Sequence, residues 1–192
     1  MILHISPFNS SLLEAIHSNV RAEVLGLRVP RGGDPPHFSV EETERCEEFL
    51  SLFKLDVKED ESMLEGLSMD GVRDMIKETD PRPTDDEPLG GTLTTLQGVF
   101  LYVDDEVLEA ARTATGSHPP WVKMVELDYN PDQHKGNRRV GPRSYFGWMK
   151  LSTASLFQLW QDLEAQDLWR LAPRNPDERL LTIWDGALND QR

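Results

Sequence analysis

The segment LQGVFLYV, from Leu96 to Val103, constrains the fold more than any other part of the sequence. It is almost wholly apolar and rich in residues that favour β-structure. A strand with one face in water would alternate apolar and polar residues, whereas a strand buried on both faces reads as a continuous apolar run. The segment therefore predicts a central strand of a sheet.

The elements after this strand follow a definite order. The hydrophobic periodicity predicts a helix at 104–115, a strand at 121–129, a polar turn at 130–142, a strand at 143–151, an amphipathic helix from Ser152 or Thr153, and a strand at 179–186. The order β-α-β-β-α-β is typical of a ferredoxin-like sandwich, in which two helices back four antiparallel strands. We therefore predict this fold for residues 92–192.

The first 80 or so residues have a different pattern. Residues 11–14 and 39–42 each have the spacing of a capping box, and the apolar residues after them recur at helical intervals. Residues 79–91 contain three prolines and a glycine pair, which end regular structure. The sequence thus predicts an α+β protein, with a mostly helical, acidic N-terminal portion at 1–83 that this segment joins to the sandwich.

The tetrapeptide Tyr102–Asp105 is the one that reverse transcriptases use to hold catalytic metal. Two-metal catalysis needs several carboxylates around a metal pair, whereas the residues after the tetrapeptide have helical periodicity. Asp104 fits the N-cap of that helix, with Asp105 and Glu106 in the first turn, where negative charge interacts favourably with the helix dipole. We interpret the tetrapeptide as the end of a strand and the start of a helix.

The net charge of −14 is unevenly distributed along the chain. Residues 41–109 contain 21 Asp and Glu against 6 Lys and Arg, a balance of −15, and the other residues come to +1. Such a surface repels nucleic-acid phosphates and attracts a basic protein. An alternative is that the acidic surface serves only solubility. In either case we expect no direct nucleic-acid binding.

The sequence lacks the motifs that indicate common catalytic sites. It has no nucleophile elbow, Walker loop, His-Glu-x-x-His or dinucleotide fingerprint. The single cysteine, Cys46, excludes an internal disulfide and a zinc site built from cysteines. The segment from Asp128 begins like a calcium loop, but Gln133 and Arg139 stand where such a loop needs Gly and Glu. We therefore expect no metal or other cofactor, and the balance is against an enzyme.

Basic residues cluster in the polar turn and at the start of the strand after it. They are His134, Lys135, Arg138, Arg139 and Arg143. Three roles remain open for this cluster. It could bind a phosphate or carboxylate through bidentate arginine contacts, dock onto the acidic half of its own chain, or be a solvated loop without a partner.

Two functional hypotheses follow. The first is a non-enzymatic interaction or inhibitor protein that engages a basic protein through its acidic face. Its predicted contacts are Glu41, Glu42, Glu44, Glu47, Glu48, Asp85, Asp86 and Glu87. The second is a small enzyme or ligand-binding protein that holds an anionic small molecule. Its predicted contacts are Lys135, Arg138, Arg139 and Arg143. A self-assembling structural subunit is a third possibility.

The sequence also bears on where in the cell the protein is located. Its N-terminus lacks the basic and apolar regions of a secretory signal, and no apolar run reaches the length of about 18 residues that a membrane span requires. We therefore expect a cytoplasmic protein without a membrane partner.

Overall fold

A computed structural model of the chain describes residues 2–4, 10–27, 38–58, 64, 66–79, 98–115, 119–135, 145–174 and 177–186. The helices are α1 (Ser10–Val24), α2 (Val40–Leu52), α3 (Met69–Thr79), α4 (Asp105–Thr113), α5 (Leu156–Leu163) and α6 (Leu168–Leu171). The strands are β1 (Ile2–His4), β2 (Val57–Lys58), β3 (Val99–Val103), β4 (Trp121–Glu126), β5 (Trp148–Ser152) and β6 (Ile183–Trp184). Short 3-10 turns lie at Pro131–His134, Thr153–Ser155 and Glu178–Leu180. The protein is therefore a mixed α+β structure, as predicted.

The strands form one mixed sheet, in which four strands are three residues or longer. Their order is β2-β1-β3-β4-β5-β6. β1 is parallel to both β2 and β3, the pairs β3–β4 and β4–β5 are antiparallel, and β6 is parallel to β5. The register places Leu101 opposite Met124 and Met124 opposite Met149, so an apolar row crosses the middle of the sheet.

β3 is buried on both faces, which confirms the prediction from its apolar sequence. Val99, Leu101 and Val103 belong to a core that includes residues of α1, α4, α5 and α6, on what we call the first face of the sheet. Phe100 and Tyr102 belong to a separate core that includes residues of α3, on the second face. Because side chains alternate along a strand, one apolar segment supplies both cores.

The ferredoxin-like arrangement predicted for residues 92–192 is not confirmed. In that fold neighbouring strands are antiparallel, and another strand separates the two strands that a helix joins. Here α4 joins β3 and β4, which are direct antiparallel neighbours, and the helices after β5 lead to β6, its direct parallel neighbour. A connecting helix does not fix the direction or place of the next strand, so the order of elements alone did not determine the pairing.

The predicted domain boundary, between residues 83 and 92, lies outside the described residues. The division into two domains therefore stays a prediction. Strands from both sides of that boundary share the sheet, since β1 lies beside β3 with Leu3 opposite Tyr102. Partly buried residues of α2 pack against the first-face core.

Two helix starts have the capping chemistry that the sequence predicts. The Ser39 hydroxyl accepts the Glu42 N–H at 3.2 Å, and the Glu42 carboxylate accepts the Ser39 N–H at 2.7 Å, which completes the capping box of α2. The Asp104 carboxylate accepts the Val107 N–H at 3.2 Å at the start of α4. The interpretation of Asp104 as a helix cap is therefore confirmed.

The end of the chain differs from the prediction in a way that shapes the second face. A strand was expected at 179–186, but the Asp177 carboxylate accepts the Arg179 N–H at 2.9 Å, and a 3-10 turn follows at Glu178–Leu180. Only Ile183–Trp184 pair as β6. The side chains of this turn then line the surface beside β5.

Candidate functional site

Five of the glutamates predicted to bind a partner lie on α2, and all five are exposed. They are Glu41, Glu42, Glu44, Glu47 and Glu48. α2 has no fully buried residue, and it contacts the first-face core through partly buried side chains such as Cys46, Phe49 and Leu50. The helix is therefore a peripheral element whose polar side faces solvent.

Three of these glutamates are bound within the chain. The pairs are Glu41 with Arg45 at 2.6 Å, Glu42 with Ser39, and Glu47 with Arg21 at 2.5 and 3.0 Å. The backbone and side-chain hydrogen bonds from Ser39 lower the pKa of Glu42, so the capping carboxylate stays ionised at neutral pH. Two of these carboxylates bind within α2 and its cap, and that of Glu47 binds Arg21 of α1, which reduces the acidic surface left for a partner.

The other two glutamates, Glu44 and Glu48, have no side-chain partner among the described residues. They lie at four-residue spacing between Val40 and Leu52, which are 78% and 73% exposed. Residues four apart lie on neighbouring positions of a helix surface. Two free carboxylates flanked by two exposed apolar side chains thus form what we call the outer stripe of α2.

The structure describes only one of the other predicted contact residues. Asp85, Asp86 and Glu87, and the arginines Arg138, Arg139 and Arg143, lie outside the described residues. Lys135 is described, and it pairs with Asp132 at 2.7 Å in an exposed contact. The Asn130 side chain accepts the Asp132 N–H, so this turn has the Asx chemistry expected of it. Anion binding by the basic cluster stays a prediction.

His134, at the start of the basic cluster, lies among aromatic rings. Its ring is 5.1 Å from that of Tyr145, 5.5 Å from that of Tyr129 and 5.8 Å from that of Trp169. The Tyr145 hydroxyl donates to Glu126 at 2.8 Å, and burial, followed by the Glu126 charge, raises the pKa of Tyr145. These packed rings anchor one end of the polar turn.

A buried lysine on β4 was not anticipated from the sequence. Lys123 has a side chain that is only 8% exposed, and its ammonium lies 2.7 Å from Asp104 and 2.7 Å from Glu106. Asp104 therefore both caps α4 and pairs with β4. The acidic first turn of α4 is bound to the sheet by the lysine beneath it.

A second lysine extends this network to β5. Lys150 lies opposite Lys123 in the register, which would bring two like charges together. Glu106 lies between them, with one oxygen 2.7 Å from Lys123 and the other 2.8 Å from Lys150. Each lysine also lies over an indole ring, Lys123 at 4.9 Å from Trp148 and Lys150 at 4.3 Å from Trp121. The network combines ion pairs with cation–π contacts.

Two groups in or beside the network have shifted pKa values. Burial of the Glu106 carboxyl raises its pKa, but the hydrogen bonds and charges of Lys123 and Lys150 outweigh burial and leave the pKa below its usual value. Burial, together with the charges of Asp104 and Asp105, raises the pKa of Tyr102 to about 12. Glu106 is therefore ionised and Tyr102 neutral at pH 7.

The chemistry of this network is that of a structural anchor. Both lysines, Asp104 and Glu106 hold one another in short ion pairs, so their charges compensate within the site. A general acid or base must have a proton to exchange near the working pH, and the lowered pKa of Glu106 moves it away from that range. We therefore assign the network to the attachment of α4.

An open cleft lies on the second face, beside the network. Its volume is about 650 Å³, and its lining residues are Phe146, Trp148, Asp177, Glu178 and Arg179. The Trp148 indole N–H donates to Glu178 at 2.8 Å, which ties the 3-10 turn to β5. No pattern in the sequence indicated this cleft, because it exists only where the turn folds back onto the sheet.

The described residues contain no group of three or more His, Cys, Asp or Glu side chains that could hold a metal ion. Within the same part of the chain, no helix has both the length and the apolar character needed to cross a bilayer. Cys46 is partly buried, and its thiol lies 3.5 Å from the Val24 carbonyl. It packs against the first-face core, in agreement with a structural role.

Comparisons with other proteins supply no family for this chain. No protein-family model, no curated protein and no solved structure matches it at a significant level.

Proposed function

We propose that this chain is a non-enzymatic interaction protein, acting as an inhibitor or assembly partner of a basic protein that it engages through the outer stripe of α2. The observation that supports this proposal is the pair Glu44 and Glu48, exposed and without side-chain partners in the described residues, between the exposed Val40 and Leu52. Charge complementarity then selects a basic partner.

Charge and apolar surface would have different roles in such a contact. The excess of acidic residues in 41–109 steers a cationic partner towards the protein, an effect that salt screens over about 10 Å. Exposed ion pairs add only about 0.5 kcal/mol each, so they cannot hold the partner alone. Burial of Val40 and Leu52 would supply most of the remaining affinity.

The spacing of the stripe favours a helical partner. Its four positions are four residues apart, and an amphipathic helix presents side chains at the same interval. A complementary helix would carry two lysines, opposite Glu44 and Glu48, flanked by two apolar residues. A short peptide with this pattern is therefore a suitable probe.

The test is a titration of the full chain with a fluorescein-labelled helical peptide that carries two lysines between two leucines at four-residue spacing. Binding is measured by fluorescence anisotropy at about 50 mM and about 300 mM salt, across the range in which screening changes. We expect saturable binding that weakens with salt. The double variant E44Q/E48Q should weaken binding about fivefold, since each exposed pair contributes roughly 0.5 kcal/mol.

The matched control is E14Q/E78Q, which removes the same charge from exposed positions on α1 and α3. It should leave the affinity almost unchanged. Equal weakening by both double variants would mean that the peptide responds to net charge alone, and the outer stripe would then not be the binding site. Failure of the peptide to bind at low salt would also contradict the proposal.

A further inference from the structure

The cleft on the second face is far from α2 in the fold, because α2 packs on the first-face core. Its volume is about 650 Å³, and it is wide open to solvent. An inference about this cleft therefore does not rest on the proposed function of α2.

The chemistry of the lining is specific. Phe146 and Trp148 supply the aromatic rings on the sheet side, where Trp148 is 8% exposed and the Lys123 ammonium lies 4.9 Å from its ring. Asp177, the N-cap of the 3-10 turn, and Glu178 within the turn supply the carboxylates. Aromatic rings attract cations through the negative face of the ring, and a carboxylate beside them adds a full charge. Proteins hold quaternary ammonium groups in cages of aromatic side chains.

Both carboxylates are held in place by hydrogen bonds. One Glu178 oxygen accepts the Trp148 indole N–H at 2.8 Å, and one Asp177 oxygen accepts the Arg179 backbone N–H at 2.9 Å. Each carboxylate has a second oxygen and further lone pairs with which to face a ligand. A site whose charged groups are already fixed loses less conformational entropy when a ligand binds.

We propose that this cleft binds a small organic cation of the quaternary ammonium class, between the aromatic side chains of Phe146 and Trp148 and the carboxylates of Asp177 and Glu178. Such a cation has no hydrogen-bond donors that need partners, so weakly directional contacts with rings and carboxylates suffice. The bound cation rests against the aromatic surface and faces the two acidic groups.

Arg179 has a defined role in this site. Arg179 lines the cleft and has no ion-pair partner among the described residues, so its charge opposes a cationic ligand, as does that of the Lys123 ammonium 4.9 Å from the Trp148 ring. Removal of this charge should strengthen cation binding. A zwitterionic ligand would instead use Arg179 to hold its carboxylate, and the same substitution would weaken its binding.

The experiment uses the full chain labelled with ¹⁵N and titrated with tetramethylammonium chloride, with sodium chloride keeping the ionic strength constant. The chain contains five tryptophans, and the variant Trp148→Phe identifies the indole N–H resonance of Trp148. We expect this resonance to shift and saturate. The variants E178Q and D177N should each weaken binding severalfold, and R179Q should strengthen it severalfold, because cation–π sites depend on local charge.

The control E14Q removes one charge from an exposed position on α1 and should leave the titration unchanged. Amide spectra of every variant report whether the fold is intact, and E178Q keeps an oxygen that can accept the Trp148 N–H. The proposal is overturned if the Trp148 resonance does not saturate in a folded protein, or if E178Q and D177N bind as the unaltered chain does. The proposal of a simple cation is also overturned if the protein binds glycine betaine more tightly than tetramethylammonium and this preference is lost in R179Q. That result would mean that the cleft binds a zwitterion.

Discussion

α2 and the first turn of α4 are both acidic, but the structure places their carboxylates in opposite surroundings. On α2 the glutamates face solvent, and the ion pair of Glu47 with Arg21 is about half exposed on both sides. At α4, Asp104 and Glu106 hold Lys123, whose side chain is 8% exposed. Two segments that read alike in sequence therefore have different roles, one at the surface and one in the attachment of a helix to the sheet.

This difference changes the meaning of the charge imbalance. The balance of −15 in residues 41–109 counts Asp104 and Glu106, but two lysines from outside that range, Lys123 and Lys150, compensate them in space. A carboxylate beside an ammonium contributes a short-range dipole instead of a long-range field. The field that a partner meets therefore comes mainly from the exposed carboxylates, including those of α2.

The largest effect that separates the two regions should come from Lys123→Met. The substitution keeps much of the side-chain volume but leaves Asp104 and Glu106 without their shared cation and removes the contact with Trp148. Removal of one partner from a buried pair costs about 3–5 kcal/mol, and the partial exposure of both carboxylates reduces our expectation to about 2–3 kcal/mol. Urea unfolding followed by circular dichroism measures this loss of free energy of unfolding.

The comparison needs the same substitution in an exposed pair. Lys135→Met removes the partner of Asp132, in a pair whose two side chains are 67% and 72% exposed. We expect its free energy of unfolding to stay within about 0.5 kcal/mol of the unaltered chain. Equal losses in the two variants would mean that Lys123 is no more than a surface lysine in solution.

The variants Glu106→Gln and Glu48→Gln should show a smaller difference in free energy of unfolding. Glu106 contacts two ammonium groups at 2.7 and 2.8 Å, whereas Glu48 is exposed on the outer stripe of α2. Because Glu106 is half exposed, we expect its substitution to cost about 1 kcal/mol, and that of Glu48 to change the free energy of unfolding by less than about 0.5 kcal/mol. The same urea titrations measure the free energy of unfolding of both variants. A larger loss for Glu48→Gln than for Glu106→Gln would contradict the assignment of Glu106 to the attachment of α4 and of Glu48 to the exposed surface.

The parts of this structure that the sequence predicted correctly are local ones. The apolar segment predicted β3, and the capping patterns at Ser39 and Asp104 predicted the starts of α2 and α4, since each depends on residues a few positions apart. Strand pairing was not predicted in this way. β3 joins β1 on one side and β4 on the other, and these contacts depend on chain segments about 20 to 100 residues away.

Lys123 shows why the sequence could predict the candidate sites only in part. Alternation along β4 places Trp121, Lys123 and Val125 on one face, and a lysine within such an apolar strand requires a partner if it is buried. That signal was present in the sequence. Its partners could not be identified, because Glu106 reaches Lys123 only once α4, β4 and β5 lie together. The cleft likewise depends on the turn after Asp177 packing beside β5.

The smallest expected effect is the change with pH in the free energy of unfolding that Glu106 contributes, and it tests the ion pairs of the network most directly. The pKa of Glu106 lies below its ordinary value of 4.5 in the folded chain. The unfolded chain therefore takes up the proton at a higher pH than the folded chain does. The stability that Glu106 contributes is fully present above pH 4.5 and is lost as the pH falls through the folded-state pKa.

A glutamine side chain resembles the protonated carboxyl of Glu106. The unaltered chain and Glu106→Gln should therefore differ in free energy of unfolding at pH 6, by less than about 1 kcal/mol. This difference should shrink as the pH falls towards about 3. The matched variant Glu48→Gln, at an exposed position on α2, is measured over the same pH range. A constant offset for Glu106→Gln would instead mean that its cost comes from packing, and that the ion pairs of Glu106 with the two lysines contribute nothing measurable to stability.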